Sequence, residues 1–226
     1  MFRLLICLFL LVPTLANAEA AMRILTISGS GQVTVAPDLA LVSVGVEVGA
    51  PTADRALKLN SARMQEVFAS LEQAGIARRD IQTSQLSIHP QWDSQQTSYD
   101  KPISIKGFIA TNVVQVRLRD LGRLGQVLDA LTRSGANRIQ GVRFDISEPG
   151  PHLDRARQLA VADALRKAQL IADAAGVALG AIQTIEASDG GQTFYRAEAA
   201  RMADGVPVAE GELSLNADVT IRFAIE

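Results

Sequence analysis

The chain has 226 residues, of which 48% are hydrophobic and 20% are charged, and its formal net charge is −2. Basic residues are scattered and aromatic residues make up only 4% of the chain, which argues against a nucleic-acid-binding protein. The single cysteine, Cys7, lies in an apolar N-terminal run. Disulfide bonds, thiol catalysis and cysteine-bound metals are therefore excluded downstream of this run.

The first residues have the three parts of a secretory signal peptide. One arginine precedes the apolar run Leu4–Val12, and a small-residue cleavage site, Ala-Asn-Ala, ends at Ala18. We expect cleavage before Glu19, which makes 1–18 the signal peptide and 19–226 a single exported domain. The apolar run is shorter than a membrane-spanning helix requires, so we expect no transmembrane segment.

The stretch ISGSGQVTVAPD, residues 27–38, has two glycines of the kind found in phosphate-binding loops. A dinucleotide fingerprint needs a third glycine, where this chain has Thr34, and a helix that opens directly afterwards. Here every second residue is apolar or glycine, which is the period of a strand. We therefore predict a strand in which Gly29 and Gly31 mark either a bulge or a close approach of another backbone.

Periodicity predicts nine further elements. A strand through Val42–Val48 is expected to form an antiparallel hairpin with the first strand, across Ala36-Pro37-Asp38. Thr52 is the predicted N-cap of a helix that runs to about Gly75, with Asn60 as the only polar member of its apolar stripe: Leu57, Asn60, Met64, Val67, Phe68 and Leu71. The remaining predictions are strands at 81–89 and 108–118, a helix at 121–134, a strand at 138–147, a helix at 151–175, and strands at 181–187 and 213–225.

The helix at 151–175 has alanine at every fourth position, from Ala156 to Ala172. Such a row removes side-chain bulk from one face, so we expect this helix to approach a sheet or another helix closely.

The predicted order is ββαββαβαββ, which indicates an α+β fold with a largely antiparallel sheet and helices packed on one face. The middle βαββαβ has the order of a ferredoxin-like unit. Ser188–Gly211 lacks clear periodicity and is expected to be a flexible insert, either a loop or an arm that orders against a neighbouring subunit.

Several stretches together resemble the SIMPL-domain family, a domain of unknown function. They include GSGQVTVAPDLALVSVGVE, AGIARRDIQTSQLSIHP and IKGFIATNVVQVRLRDL, and the resemblance covers nearly all of residues 24–226. The resemblance implies an exported, periplasmic protein of the cell envelope that forms homo-oligomers. It also implies a role in envelope or oxidative-stress tolerance. A peripheral association with the outer membrane stays open. The family offers no agreed catalytic residues.

The residues themselves contain no recognisable catalytic or metal-binding spacing. His89 and His152 are the only histidines and are far apart in sequence, and no G-x-S-x-G elbow occurs. Arg78-Arg79-Asp80 and Arg117-x-Arg119-Asp120 are charge clusters at element ends, which are typical of solvated surface. We therefore predict a non-enzymatic protein with no catalytic, cofactor-binding or metal-binding residues.

The alternative is a periplasmic enzyme or small-ligand-binding protein with a site near His89–Tyr99. An acid/base pair would then come from His89, Asp93 and Asp100, and Trp92 and Tyr99 would line a groove.

Overall fold

The computed structural model describes residues 23–93, 104–195 and 208–226, with the backbone alone at 189–195. Short 3-10 turns occupy Arg78–Asp80 and Leu121–Arg123. The order ββαββαβαββ is confirmed, with these bounds: β1 Ile24–Val35, β2 Leu39–Ala50, α1 Ala53–Gln73, β3 Ile81–Trp92, β4 Ile105–Leu118, α2 Leu124–Arg133, β5 Arg138–Asp145, α3 Gly150–Ala175, β6 Leu179–Tyr195 and β7 Glu212–Ile225.

The strands form two sheets rather than the single sheet expected. A three-stranded sheet has the order β1-β7-β6 and a four-stranded sheet has the order β3-β4-β2-β5, with every neighbouring pair antiparallel. The four-stranded sheet and its helices α1 and α2 have the strand order of a ferredoxin-like unit, as the middle βαββαβ predicted. The chain is therefore α+β, with a second, smaller α/β layer in which α3 packs on β1 and β7.

The predicted hairpin between the first two strands is wrong. β1 pairs along its whole length with β7, from Ile24 opposite Ala224 to Val35 opposite Leu213. β2 is instead a central strand between β4 and β5, so neither of its edges is free for β1. Alternation specifies that a segment is a strand and which face it buries, but it does not specify the partner.

Helix α1 begins where predicted, because the Thr52 side chain accepts a hydrogen bond from Arg55 N at 3.3 Å. Its buried stripe contains Ala56, Asn60, Met64, Val67 and Leu71, whereas the predicted member Leu57 is exposed. The stripe packs against the valines of β2 and β4 and against α2, forming the main core of the protein.

Helix α3 packs on β1 with almost no space between the two backbones. Its five alanines, Ala156, Ala160, Ala164, Ala168 and Ala172, are all fully buried. A Cβ on Gly29 would lie 2.2 Å from the Ala160 carbonyl oxygen, and one on Gly31 would lie 2.0 Å from that of Ala156. Of the two predicted roles, the glycines therefore serve close backbone approach, and the register of β1 with β7 runs without a bulge.

Two connections cross between the sheets side by side, β1 to β2 and β5 to α3. The Asp38 carboxylate accepts hydrogen bonds from Ser147 N at 2.7 Å and from Ser147 Oγ at 2.6 Å. A small apolar cluster joins Ile146 of the second connection to the three-stranded layer, and it also contains Leu213, Leu215, Val35 and Leu153. Side-chain hydrogen bonds and apolar contacts therefore fix the two connections to each other and to the three-stranded layer.

Strand β6 is longer than predicted, because it continues to Tyr195 instead of ending near Ala187. Ser188 and Asp189 pair with Asp218 and Ala217 of β7, so this part of the expected insert is strand. Residues 196–207 of the insert lie outside the described residues, and their flexibility stays a prediction.

Candidate functional site

The described residues of the alternative site near His89–Tyr99 lie along the end of β3 and do not form a group. His89 lies on β3 opposite Ile109 and is exposed, and the Trp92 side chain is 54% exposed opposite Ile105. Asp93 follows the strand, and its backbone N–H donates to Ser104 O at 3.0 Å. Tyr99 and Asp100 lie outside the described residues, so an acid/base pair with Asp100 stays a prediction.

His152 occupies the first turn of α3, as predicted, on the helix that packs against the other sheet. Across residues 23–93, 104–195 and 208–226, no group of three or more His, Cys, Asp or Glu side chains is placed to hold a metal ion.

The two charge clusters form ion pairs at the ends of elements. Arg78 pairs with Glu72 of α1 at 2.8 Å, and Arg119 pairs with Asp80 at 2.9 Å. The pair of Arg78 with Glu72 is solvated, with the arginine 89% exposed, so it contributes little to stability. In the other pair Arg119 is 56% exposed, whereas Asp80 is only 12% exposed.

One feature that the sequence patterns did not reveal is a difference between the strand edges. An edge strand presents unpaired N–H and C=O groups that invite pairing with another chain. The edges here are β1 and β6 of the three-stranded sheet, and β3 and β5 of the four-stranded sheet. Register shifts occur along β3, β5 and β6, and the first two of these strands and β1 carry further features that hinder such pairing.

The β1 edge is covered by charged side chains from α3. Asp163 Oδ2 accepts a hydrogen bond from Ser30 N at 3.1 Å, and Lys167 Nζ donates to Ser28 O at 3.2 Å. Lys167 and Arg166 each pair with Asp163 at 2.7 Å. Hydrogen bonds from Lys167, Arg166 and the Ser30 amide hold the pKa of Asp163 well below its usual range. The carboxylate is therefore charged at neutral pH and blocks outward pairing by β1.

The β3 and β5 edges are interrupted by irregular backbone. β3 has register shifts near Ser84 and Trp92 and contains Pro90, which has no N–H to donate. β5 is eight residues long and has a register shift between its pairs with Ser43 and Val44. Bulges, proline and short length all disfavour edge-to-edge association.

The β6 edge also has register shifts, on both sides of Ile182 and after Asp189, but the stretch between them is regular and exposed. From Thr184 to Asp189 its register with β7 runs without interruption, from Arg222 to Ala217. Residues 181–188 are all exposed, including Ile185 at 56%. Between Leu179 and Ser188, one side chain forms a hydrogen bond with the backbone of the strand: Gln183 donates to Ala181 O at 3.4 Å. The other outward backbone groups of this stretch are open to another chain.

The fold defines a class: an α+β protein of two antiparallel sheets. The chain belongs to the SIMPL family, whose description reads "Protein of unknown function (DUF541)", and the match covers residues 25–223.

Curated relatives span a similar range of the chain. The 26 kDa periplasmic immunogenic protein of Brucella melitensis is 32% identical over 213 residues, which is 89% of this chain and 84% of the relative. The Uncharacterized protein YggE of Escherichia coli is 32% identical over 158 residues, 70% of this chain and 63% of the relative. Among the described residues, no helix is long and apolar enough to span a bilayer.

Proposed function

We propose that this protein is a non-enzymatic, periplasmic protein of the cell envelope that works as a homo-oligomer, assembled through the β6 edge. The observation that carries the proposal is the contrast between β1, covered by Asp163 and Lys167, and the open stretch Thr184–Asp189. Two copies that pair along this stretch through the same edge satisfy the outward backbone groups of both and form a closed pair.

The side chains of β6 favour pairing with a like surface. Ile182 and Ile185 are 45% and 56% exposed, opposite Phe223 and Ile221, which are buried beneath α3. The two isoleucines thus lie on the same face of the sheet as the buried Phe223 and Ile221, but α3 does not cover them. An added chain on this edge would bury both isoleucines, each worth about 1.5–3 kcal/mol when fully buried.

The proposed location rests on other observations, and the proposed role on the family resemblance described above. The N-terminal segment has the pattern of a signal peptide, and a relative carries "periplasmic" in its name. The relatives are named for location and immunogenicity or as uncharacterized, and none for an activity. We place the protein in the periplasm with a role in envelope or oxidative-stress tolerance and, through its assembly, a peripheral contact with the outer membrane.

The proposal is tested with two matched lysine variants. Ile185→Lys puts a charge on the β6 edge, whereas Leu170→Lys puts one on an equally exposed leucine of α3 (62%). We expect Ile185→Lys to lower the native mass in light scattering and Leu170→Lys to leave it unchanged. Equal masses for wild type and Ile185→Lys, with circular dichroism intact, would contradict assembly through β6.

A further inference from the structure

The face of the four-stranded sheet that is turned away from α1 and α2 contains a shallow hollow of about 320 Å³. Val42, Val44, Val114 and Val116 point into the helical core, so the alternate residues of β2 and β4 point to the opposite face. The hollow is lined by residues of three adjacent strands: Leu41, Ser43, Gln115, Gln140, Gly141, Val142 and Arg143.

Register places the side chains of this face in two short rows. Leu41 of β2 lies between Arg117 of β4 and Arg143 of β5. Ser43 lies between Gln115 and Gly141 in the next row. Because neighbouring strands are about 4.8 Å apart, the two arginine Cα atoms are about 10 Å apart, close enough for both guanidinium groups to reach one ligand above Leu41.

A β-bulge shapes one wall of the hollow. The register of β5 shifts between Ser43 and Val44, which leaves Gln140 as the extra residue beside Gly141. Gly141 has φ +148°, a backbone conformation that side chains disfavour, and a Cβ there would meet no atom within 4 Å. The bulge therefore redirects Gln140 while the glycine leaves the space beside it open.

The polar groups of the hollow are mostly unpaired. In the described part of the chain, Ser43, Gln115, Gln140 and Arg117 make no side-chain hydrogen bond or ion pair. Arg143 reaches Asp145 at 3.5 Å, and its side chain is 61% exposed. The Arg143 guanidinium, two amides and a hydroxyl thus line one depression, and Arg117 flanks it opposite Leu41. Apart from the contact between Arg143 and Asp145, these polar groups have no partner among the described residues.

We propose that this hollow binds a small hydroxylated oxyanion, in which a carboxylate or phosphate group sits between Arg117 and Arg143. The planar guanidinium groups of both arginines match the two oxygens of such a group. Hydroxyl groups of the ligand exchange hydrogen bonds with the amides of Gln115 and Gln140 and with the hydroxyl of Ser43, which can each donate and accept. A volume of about 320 Å³ lies at the lower end of small-molecule sites, which limits the ligand to about one sugar ring.

The test uses the full mature protein and saturation-transfer NMR, which detects weak ligands on proteins of any mass. The probes are glucuronate, glucose 6-phosphate and uncharged glucose. We expect millimolar binding of one or both anions and none of glucose. Binding of glucuronate alone identifies a carboxylate site, and binding of glucose 6-phosphate alone identifies a phosphate site.

Variants separate the hollow from general charge effects. Arg117→Gln removes one guanidinium and is expected to weaken anion binding about tenfold, a change of about 1.4 kcal/mol. Ser43→Val fills the floor with a residue suited to strands and is expected to abolish binding. Arg133→Gln removes an exposed positive charge from α2, on the other side of the sheet, and is expected to have no effect.

Three results would overturn the proposal: no saturation transfer to either anion, equal transfer to glucose, or equal loss in Arg117→Gln and Arg133→Gln. None of them bears on assembly, because the hollow lies on β2, β4 and β5 whereas the proposed interface lies on β6.

Discussion

The backbone of Ala160 lies so close to Gly29 that a Cβ added to the glycine would be 2.2 Å from the Ala160 carbonyl oxygen. The next contact, to Ala164 N, would be 2.5 Å. Real Cβ atoms do not approach a backbone atom this closely, so any larger residue at position 29 has to push α3 away from β1.

Gly29→Ala is therefore expected to destabilise the protein by about 2–3 kcal/mol, although it adds a single methyl group. Urea unfolding followed by circular dichroism measures this difference. The matched control is Gly49→Ala on β2, where the nearest atom to the new Cβ is 4.0 Å away. Similar costs at both positions would show that strand glycines act through backbone entropy rather than through helix packing.

The contact between Asp38 and Ser147 is expected to make stability depend on acid pH. Hydrogen bonds from the Ser147 hydroxyl, and then from its backbone N–H, lower the pKa of Asp38 despite some opposing desolvation. A lowered pKa stabilises the fold above the ordinary value of 3.8, and this contribution is lost as the pH falls through the lowered value.

Asp38→Asn should therefore lower the free energy of unfolding at pH 7 by less than about 1 kcal/mol, because the carboxylate is exposed. The difference from wild type should shrink as the pH falls from 5 to 3. Urea titrations at three pH values measure it, and a difference that stays constant with pH would contradict the role of the charge.

Asn60 joins α1 to the two central strands from a fully buried position. Its Nδ2 donates to Val46 O at 2.8 Å and to Ala110 O at 3.1 Å. Asn60→Ala removes both donors and is expected to cost about 1–3 kcal/mol. Asn60→Asp places a carboxylate against the two carbonyl oxygens, so at pH 7 it should cost more than alanine.

Asn60→Asp should lose more free energy of unfolding than Asn60→Ala at pH 7, and this difference should decrease toward pH 4. The reason is that a buried carboxyl with a raised pKa becomes protonated there. Thermal unfolding at pH 7 and pH 4 compares the two variants. An alanine variant as stable as wild type would show that these two hydrogen bonds contribute nothing net.

Asp163 is expected to protect the β1 edge from solvent and from pairing. Asp163→Ala removes the acceptor of Ser30 N, and amide exchange at Ser30 should then be about tenfold faster, equivalent to about 1.4 kcal/mol of local stability. Asp154→Ala is the control, since Asp154 pairs with Arg157 of the same helix at 2.5 Å. Hydrogen exchange with mass spectrometry reports both, and equal protection of Ser30 in the two variants would contradict an edge-covering role.

Local pattern predicted much of the fold, because caps and periodicity are recorded in neighbouring residues. The Thr52 cap, the alanine row of α3 and the alternation of β7 all lie where periodicity placed them. The partner of β1 was not predictable in this way, since pairing with β7 joins residues almost 200 positions apart and depends on total packing.

The candidate sites depend on such non-local pairing even more strongly. Asp163 and Lys167 form ordinary i, i+4 charge pairs in sequence, and only the placement of α3 against β1 turns them toward an edge. Arg117 and Arg143 are separated in the chain and become neighbours of Leu41 only when β4 and β5 flank β2.

Native mass tests the central claim of assembly most directly. The chain from Glu19, the mature form that the sequence predicts, has an expected monomer mass of about 23 kDa, at about 110 Da per residue. Size-exclusion chromatography with light scattering should give a discrete multiple of this mass that is stable on dilution. A single species of about 23 kDa at every concentration would contradict a homo-oligomer and leave the β6 edge without a partner of its own kind.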